Sequence, residues 1–311
     1  MIKKWGCSIL LLSLVLAISP PQTSAWGLST HQTIADQALD LLPQSLQNFV
    51  LQHRAAIMDA SIQPDLRKGS DPAEGPRHYD DQDVPHKDHN ISTSSPDYRD
   101  GVVSWAVEFT THDLITALQH NKTAAIIRYM GDLTHYIADA SQPFHSTKNY
   151  DGQLTGNNGI HARYENTMIN RYKSELFNIQ DFEALKLIDQ PYNLSETEIH
   201  SGLALVPQLL KADDNATASS GSTSSGDYYQ ALYEMTKSIT QDRLKMAIQN
   251  TANLWFTAFY HAGWGGLNGE PTFAAGDTTG STTAPTPVMT GIFLGSLLVI
   301  PYLRKWHTTY R

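Results

Sequence analysis

The sequence has 311 residues, 41% of them hydrophobic and 17% charged, with a formal net charge of −9. That is enough chain for a sizeable core and too apolar for a disordered one, and the net acidity gives no electrostatic footprint for long nucleic acids. The only cysteine, Cys7, lies at the extreme N-terminus, which excludes disulfides and thiolate metal sites from everything after it.

Residues 1–25 read as a secretory signal peptide. Lys3 and Lys4 form a basic start, Ser8 to Ser19 an apolar stretch, and Thr23-Ser24-Ala25 a cleavage site of small residues. A membrane anchor is the alternative, but the apolar run is shorter than the ~20 residues of a span. Cleavage would expose Trp26 as the new N-terminus and, by removing two lysines, take the charge from −9 to −11.

Ser29 and Gln32 then form a capping-box pattern that opens an amphipathic helix. Ile34, Ala35, Ala38, Leu39 and Leu42 make its apolar face, and Pro43 stops it. A second helix is expected from Ser45 to Ile57. Ser61 to Asp100, rich in Pro, Asp, Gly and Ser, reads as a long loop, and loops of that length are functional or disordered. Helical periodicity returns over Val102–Gln119 and Ala124–Ala140, with Pro143 closing the second stretch. After the turn Gly156-Asn157-Asn158-Gly159, further helices are expected from His161, over Asp181–Leu187, over Glu196–Leu210, and over a long Asp227–His261. Asp213–Gly226 reads as a flexible polar loop. With no run of strands, the expected fold is all-α, one multi-helix domain over residues 26–264.

Residues 265–287, rich in Thr, Gly and Pro, read as a flexible linker. Residues 288–303 are apolar and precede Arg304-Lys305-Trp306, which suits a transmembrane anchor with a basic tail over 304–311; a buried C-terminal helix is the alternative. The chain is thus expected to be exported and tethered at an extracytoplasmic membrane surface. Sequons at Asn90, Asn121, Asn193 and Asn215 are a weak signal.

The chemistry concentrates between His135 and Glu165. His135 and Asp139 stand four apart on an expected helix, so both side chains share one face. His145 follows the Pro143 break, and His161 and Glu165 repeat the four-residue spacing. One such pair alone is more often a surface hydrogen bond. Two pairs and His145 within 31 residues point to a metal, and imidazole with carboxylate but no sulfur suits catalytic zinc. His112 reads as a core or surface histidine outside this set, and His86 and His89 as part of a solvated acidic loop. Trp255, Phe256, Phe259 and Tyr260 form a stripe that reads as core.

Together with Trp26, Pro64-Asp65 and His78, this pattern resembles the zinc-dependent phospholipase C family, which is related to the zinc nucleases that cut single strands. The opening Gly27-Leu28-Ser29-Thr30-His31 also resembles the N-terminal domain of the phospholipase D that releases glycosyl-phosphatidylinositol anchors. The resemblance runs from Trp26 to Glu165 and implies three zinc ions. It assigns Asp65, His78, His135 and Asp139 to one ion, and His145, His161 and Glu165 to a second. The third takes the free amine and carbonyl of Trp26, His31 and a bridging Asp139. Adjacent zinc ions acidify water and stabilise both oxygens of an in-line displacement. The expected reaction is therefore phosphodiester hydrolysis by zinc-activated water, with Asp65 as ligand and general base. Glu165 in the closing position and the absence of cysteine pairs resemble the phospholipase branch, whereas the short Trp26–His31 spacing is closer to the nucleases. A phospholipid is the leading substrate; a single-strand nuclease or nucleotidase, and a non-catalytic surface zinc-binding module, are the alternatives. The headgroup and oligomeric state stay open.

Overall fold

The computed structural model describes residues 26–85 and 91–264. Its main helices are α1 (Leu28–Asp40), α2 (Gln47–Ala60), the short α3 (Gln63–Arg67), α4 (Val103–Gln119) and α5 (Thr123–Ser141), then α6 (Pro191–Leu203), α7 (Val206–Ser220) and α8 (Gly226–His261). Among the described residues, β pairing is limited to an isolated antiparallel bridge between Asp80 and Gly101. The fold is all-α. No described helix is long and apolar enough to cross a membrane. The signal peptide, linker, anchor and tail read in the sequence lie outside the described residues, as do His86 and His89.

α5 is the axis of the domain, with α2, α4, α6 and α8 packed against it. Every residue from Met130 to Ser141 is buried, so this helix presents polar groups inward as well as apolar ones. Its close approach to α2 depends on Gly131, where a Cβ would lie 2.3 Å from that of Ala60. Trp255 on α8 locks the opposite side: its ring is fully buried and its Nε1 donates to the Met130 carbonyl at 3.0 Å. Phe256 and Phe259 join this core, as the aromatic stripe predicts.

Four local expectations are corrected. The first helix starts at Leu28 with Gly27 as its cap, so Ser29 is inside the helix and its hydroxyl donates to Asn170 Oδ1 instead of capping. Residues 181–187 form no regular secondary structure and are not helical. Asp181 enters with φ 60°, and the N–H groups of Glu183, Lys186 and Ile188 donate to Gln249, Asn253 and Thr257, a row of side chains at four-residue spacing on α8. Tertiary partners outweigh helix propensity there. The single helix expected over Glu196–Leu210 is two, α6 and α7. The loop expected over Asp213–Gly226 is helical through Ser220, because Ala212, Asp213 and Ala216 are buried on its inner face. Ser61–Asp100 is a connection with short helical turns: its Asp80 and Gln82 N–H groups donate to the carbonyls of His145 and Ser146 at 2.9 and 3.0 Å.

Candidate metal centre

One turn of α5 separates His135 from Asp139, and both are fully buried. His135 Nδ1 faces the Ser61 carbonyl at 2.7 Å. A carbonyl only accepts, so Nδ1 carries a proton, and in the neutral ring Nε2 is the nitrogen with the lone pair. That lone-pair nitrogen stands 3.2 Å from Asp139 Oδ2 and 3.6 Å from Asp65 Oδ1. Asp65 comes from α3, where the helix begins directly after α2 and turns its carboxylate under α5. His78 closes the short 3₁₀ turn Gly75–His78, and its Nδ1 lies 2.8 Å from Asp139 Oδ2.

The same lock recurs twice. His145, in the turn Pro143–Ser146, donates from Nδ1 to the His78 carbonyl at 2.5 Å. His161 donates from Nδ1 to the Tyr150 carbonyl at 3.2 Å. Each therefore offers Nε2, and both face Glu165, at 3.9 and 2.7 Å from its Oε2. Tying one imidazole nitrogen to a carbonyl so that the other is free is how proteins prepare histidine for a metal. His31 is fully buried, stacks on His135 with ring centroids 3.9 Å apart, and places Nε2 3.4 Å from Asp139 Oδ1.

Twelve buried side-chain atoms among the described residues lack a hydrogen-bond partner, and eight belong to His31, Asp65, His78, Asp139, His161 and Glu165. Leaving such an atom unpaired costs about 1–3 kcal/mol, so their concentration in one place fits an ion better than a core. His161 Nε2 approaches Glu165 Oε2 to 2.7 Å, and both His161 Nε2 and the second Glu165 oxygen, Oε1, are among the atoms without a hydrogen-bond partner. Potential ligand atoms converge within 4.8 Å in three groups: His31, Asp65 and His135; His78, His135 and Asp139; His145, His161 and Glu165. In a tetrahedral zinc site ligand atoms lie about 3.3 Å apart. His31 thus falls beside Asp65 and His135 as well as beside Asp139, a wider set of neighbours than the resemblance implied.

Electrostatics agree. Burial first, then His135, pushes His31 down, and burial pushes His145 down to about 3, so both stay neutral. Burial opposes charge on Asp139, yet His135 and His145 hold its carboxyl well below its ordinary range. His135 and His161 are pushed down by burial and more strongly up by their carboxylates, so a metal entering here displaces protons.

Trp26 is fully buried. Its indole donates to the Ala138 carbonyl at 2.7 Å, next to Asp139, and packs on Tyr164. His112 lies apart from the centre, on α4 with Glu108. Sequence reasoning missed the surrounding supports: Tyr136 donates to Glu74, Arg67 joins Glu74 to Asp132, and Gln142 donates to Glu165 Oε2 at 2.9 Å. Apart from Arg67 and Glu74, seven residues apart, the partners are 23 to 65 residues away, so no local pattern reveals them. It also missed Lys68 and Tyr150, which line a cavity of about 300 Å³ with His78, His145 and His161.

The sequence model of the zinc-dependent phospholipase C family matches residues 30–212. No curated protein matches the sequence. Among solved structures, the alpha-toxin of Clostridium perfringens from an avian strain is similar with a TM-score of 0.47 and 15% identity, over 76% of this chain and 64% of that one. The alpha toxin of Clostridium absonum gives 0.46 and 15%, over 73% and 62%. The chain therefore spans less than two thirds of the length of either toxin.

Proposed function

The chain belongs to the zinc-dependent phospholipase C family, and on that premise we propose that it is an exported, membrane-tethered hydrolase of phospholipid phosphodiesters with three zinc ions. The observation that carries this reading is the locked histidine set: His135, His145 and His161 each spend Nδ1 on a backbone carbonyl and keep Nε2 for an ion. Asp65, His78, His135 and Asp139 would hold one zinc, and His145, His161 and Glu165 a second. His31, Asp139 and the amine and carbonyl of Trp26, freed by cleavage after Ala25, would hold the third. Residues 1–25 would serve export, and 265–287 would link the domain to an anchor at 288–303.

Zinc, when bound, supplies Lewis acidity that acidifies water and offsets charge on phosphoryl oxygens. The chain's own groups do the rest. The cavity walls of His78, His145 and His161 bring the phosphodiester against the centre. Asp65, whose side-chain oxygens make no hydrogen bond, takes the proton of the attacking water in addition to binding metal. Gln142 holds Glu165 in register through its amide.

The test uses the whole chain expressed through an export pathway. Metal analysis is expected to give three zinc ions per protein, and less than one in unchelated protein defeats the cluster. Phospholipid vesicles and single-stranded DNA are then offered in parallel. Release of phosphorylated headgroup from vesicles supports the proposal; cleavage of DNA alone moves the protein to the nuclease reading, and inertness at full zinc makes it a binding module.

A further inference from the structure

We propose that Lys68 is a substrate-contacting residue that reads the phosphoryl group and biases the pocket towards anionic headgroups over quaternary-ammonium ones. The inference rests on the phosphodiesterase reading and specifies the substrate class of that same site. Three observations carry it. Lys68 is the only lysine or arginine among the residues lining the cavity that His78, His145 and His161 also line. Its side chain is only 20% exposed, which brings a cation into the pocket wall, where water screens it weakly. And among the described residues its one ion-pair partner is Asp65, at 2.7 Å from Oδ1 but too oblique to count as a hydrogen bond.

That last point matters most. An ammonium has three N–H donors, and an oblique contact to one carboxylate leaves donors for something else. If Asp65 gives its lone pairs to metal, its hold on Lys68 weakens further. The group in the cavity that can use those donors is an oxygen-rich anion, and a phosphoryl group is the one the adjacent centre would bind. Lys68 sits three residues after Asp65, at the C-terminal cap of the short helix that carries Asp65, so one short stretch of chain places the carboxylate at the centre and the ammonium in the pocket wall. A trimethylammonium placed in the same cavity meets a like charge there.

The experiment compares wild type, Lys68→Gln and Lys68→Arg, all zinc-loaded, with metal content measured for each. Inorganic phosphate is titrated calorimetrically, and vesicles of phosphatidylinositol and of phosphatidylcholine are hydrolysed in parallel. Loss of one charge-assisted contact predicts roughly a tenfold weaker phosphate affinity in Lys68→Gln, with most of it kept in Lys68→Arg. Zinc content stays at the wild-type level, and the ratio of inositol to choline turnover falls by a similar factor. Unchanged phosphate affinity, or an unchanged ratio, in fully metallated Lys68→Gln overturns the inference. So does loss of zinc in step with loss of phosphate, which would make Lys68 a support for Asp65. Because phosphate binding needs no turnover, a wild type that binds phosphate through Lys68 but hydrolyses neither vesicle defeats the phospholipase reading and leaves the anion site standing.

Discussion

His135 and Asp139, His161 and Glu165, and Glu108 and His112 are all four residues apart on helical backbone, yet the first two pairs are buried and the third ends in solvent with its imidazole 42% exposed. The buried pairs differ in turn. α5 is regular and enclosed on several sides, so its packing, with the Ser61 carbonyl on His135 Nδ1, fixes His135 and Asp139. His161 and Glu165 sit at residues 160–171, where Arg163–Met168 is π-helical, a form that is rare and concentrated at functional sites. A looser turn needs an outside hold, and Arg163 provides it. Its guanidinium donates to Tyr228 Oη at 2.8 Å, to the Asn158 carbonyl at 2.6 Å, and to both oxygens of buried Asp213 at 2.8 and 3.0 Å. Spacing, then, assigns no role by itself; burial, a tied Nδ1 and a supported backbone do.

The largest effect is expected at the pair that packing fixes. Asp139 is within ligand distance of His31, His78 and His135, so Asp139→Asn should lower zinc content and abolish hydrolysis. The loss should exceed the roughly 100-fold that removal of an outer-shell partner costs. Zinc analysis and vesicle turnover near wild type would remove α5 from the centre.

The clasp is next. Asp213→Ala strands the Arg163 guanidinium, only 13% exposed, without its partner. Breaking a buried pair on one side costs about 3–5 kcal/mol, read from the denaturation midpoint. A loss below about 1 kcal/mol, on the same scale, would mean that the π-helical segment holds itself.

That contrast also describes what the sequence could say. The helices over Val102–Gln119 and Ala124–Ala140 were legible because their periodicity is strong, and the four-residue pairs because helix geometry is local. Asp65 and His78 came from the resemblance alone, since they lie 70 and 57 residues before His135 and nothing in the spacing of a Pro- and Asp-rich stretch says that the chain returns there. Asp213 was hidden for the opposite reason. DDNATASSGS has the composition of a loop, and only its distant partners Arg163, Asn157 and Tyr228 make it the end of a helix.

At the cavity rim the contrast becomes one of pH. Burial first, then Asp83 and Asp100, pushes the Asp81 carboxyl from its ordinary 3.8 up to about 7. The folded state thus holds this proton more tightly than the unfolded one. Its contribution to stability is full below pH 3.8 and is lost as pH rises through about 7. Asp81→Asn should leave stability at pH 4 unchanged and raise it at pH 8, by on the order of 1 kcal/mol once solvent screening at this partly exposed site is allowed for. Parallel stability curves for the two proteins between those pH values would show that Asp81 is not strained.

The smallest effect belongs to the exposed pair, and it is the sharpest control on the comparison. His112 Nε2 contacts Glu108 Oε1 at 3.1 Å, much like the 3.2 Å between His135 and Asp139 in the centre. What it lacks is everything else. Neither residue is fully buried, no carboxylate or imidazole from another helix joins them within ligand range among the described residues, and Glu108 spends its other oxygen on the Tyr192 N–H at 2.9 Å. An exposed pair at this spacing is worth about 0.3–0.5 kcal/mol. His112→Ala should therefore shift stability by no more than that and leave zinc content and turnover at wild-type values. A variant that lost zinc would show that the four-residue spacing carries function wherever it occurs, and the distinction drawn from burial and tied imidazoles would fall.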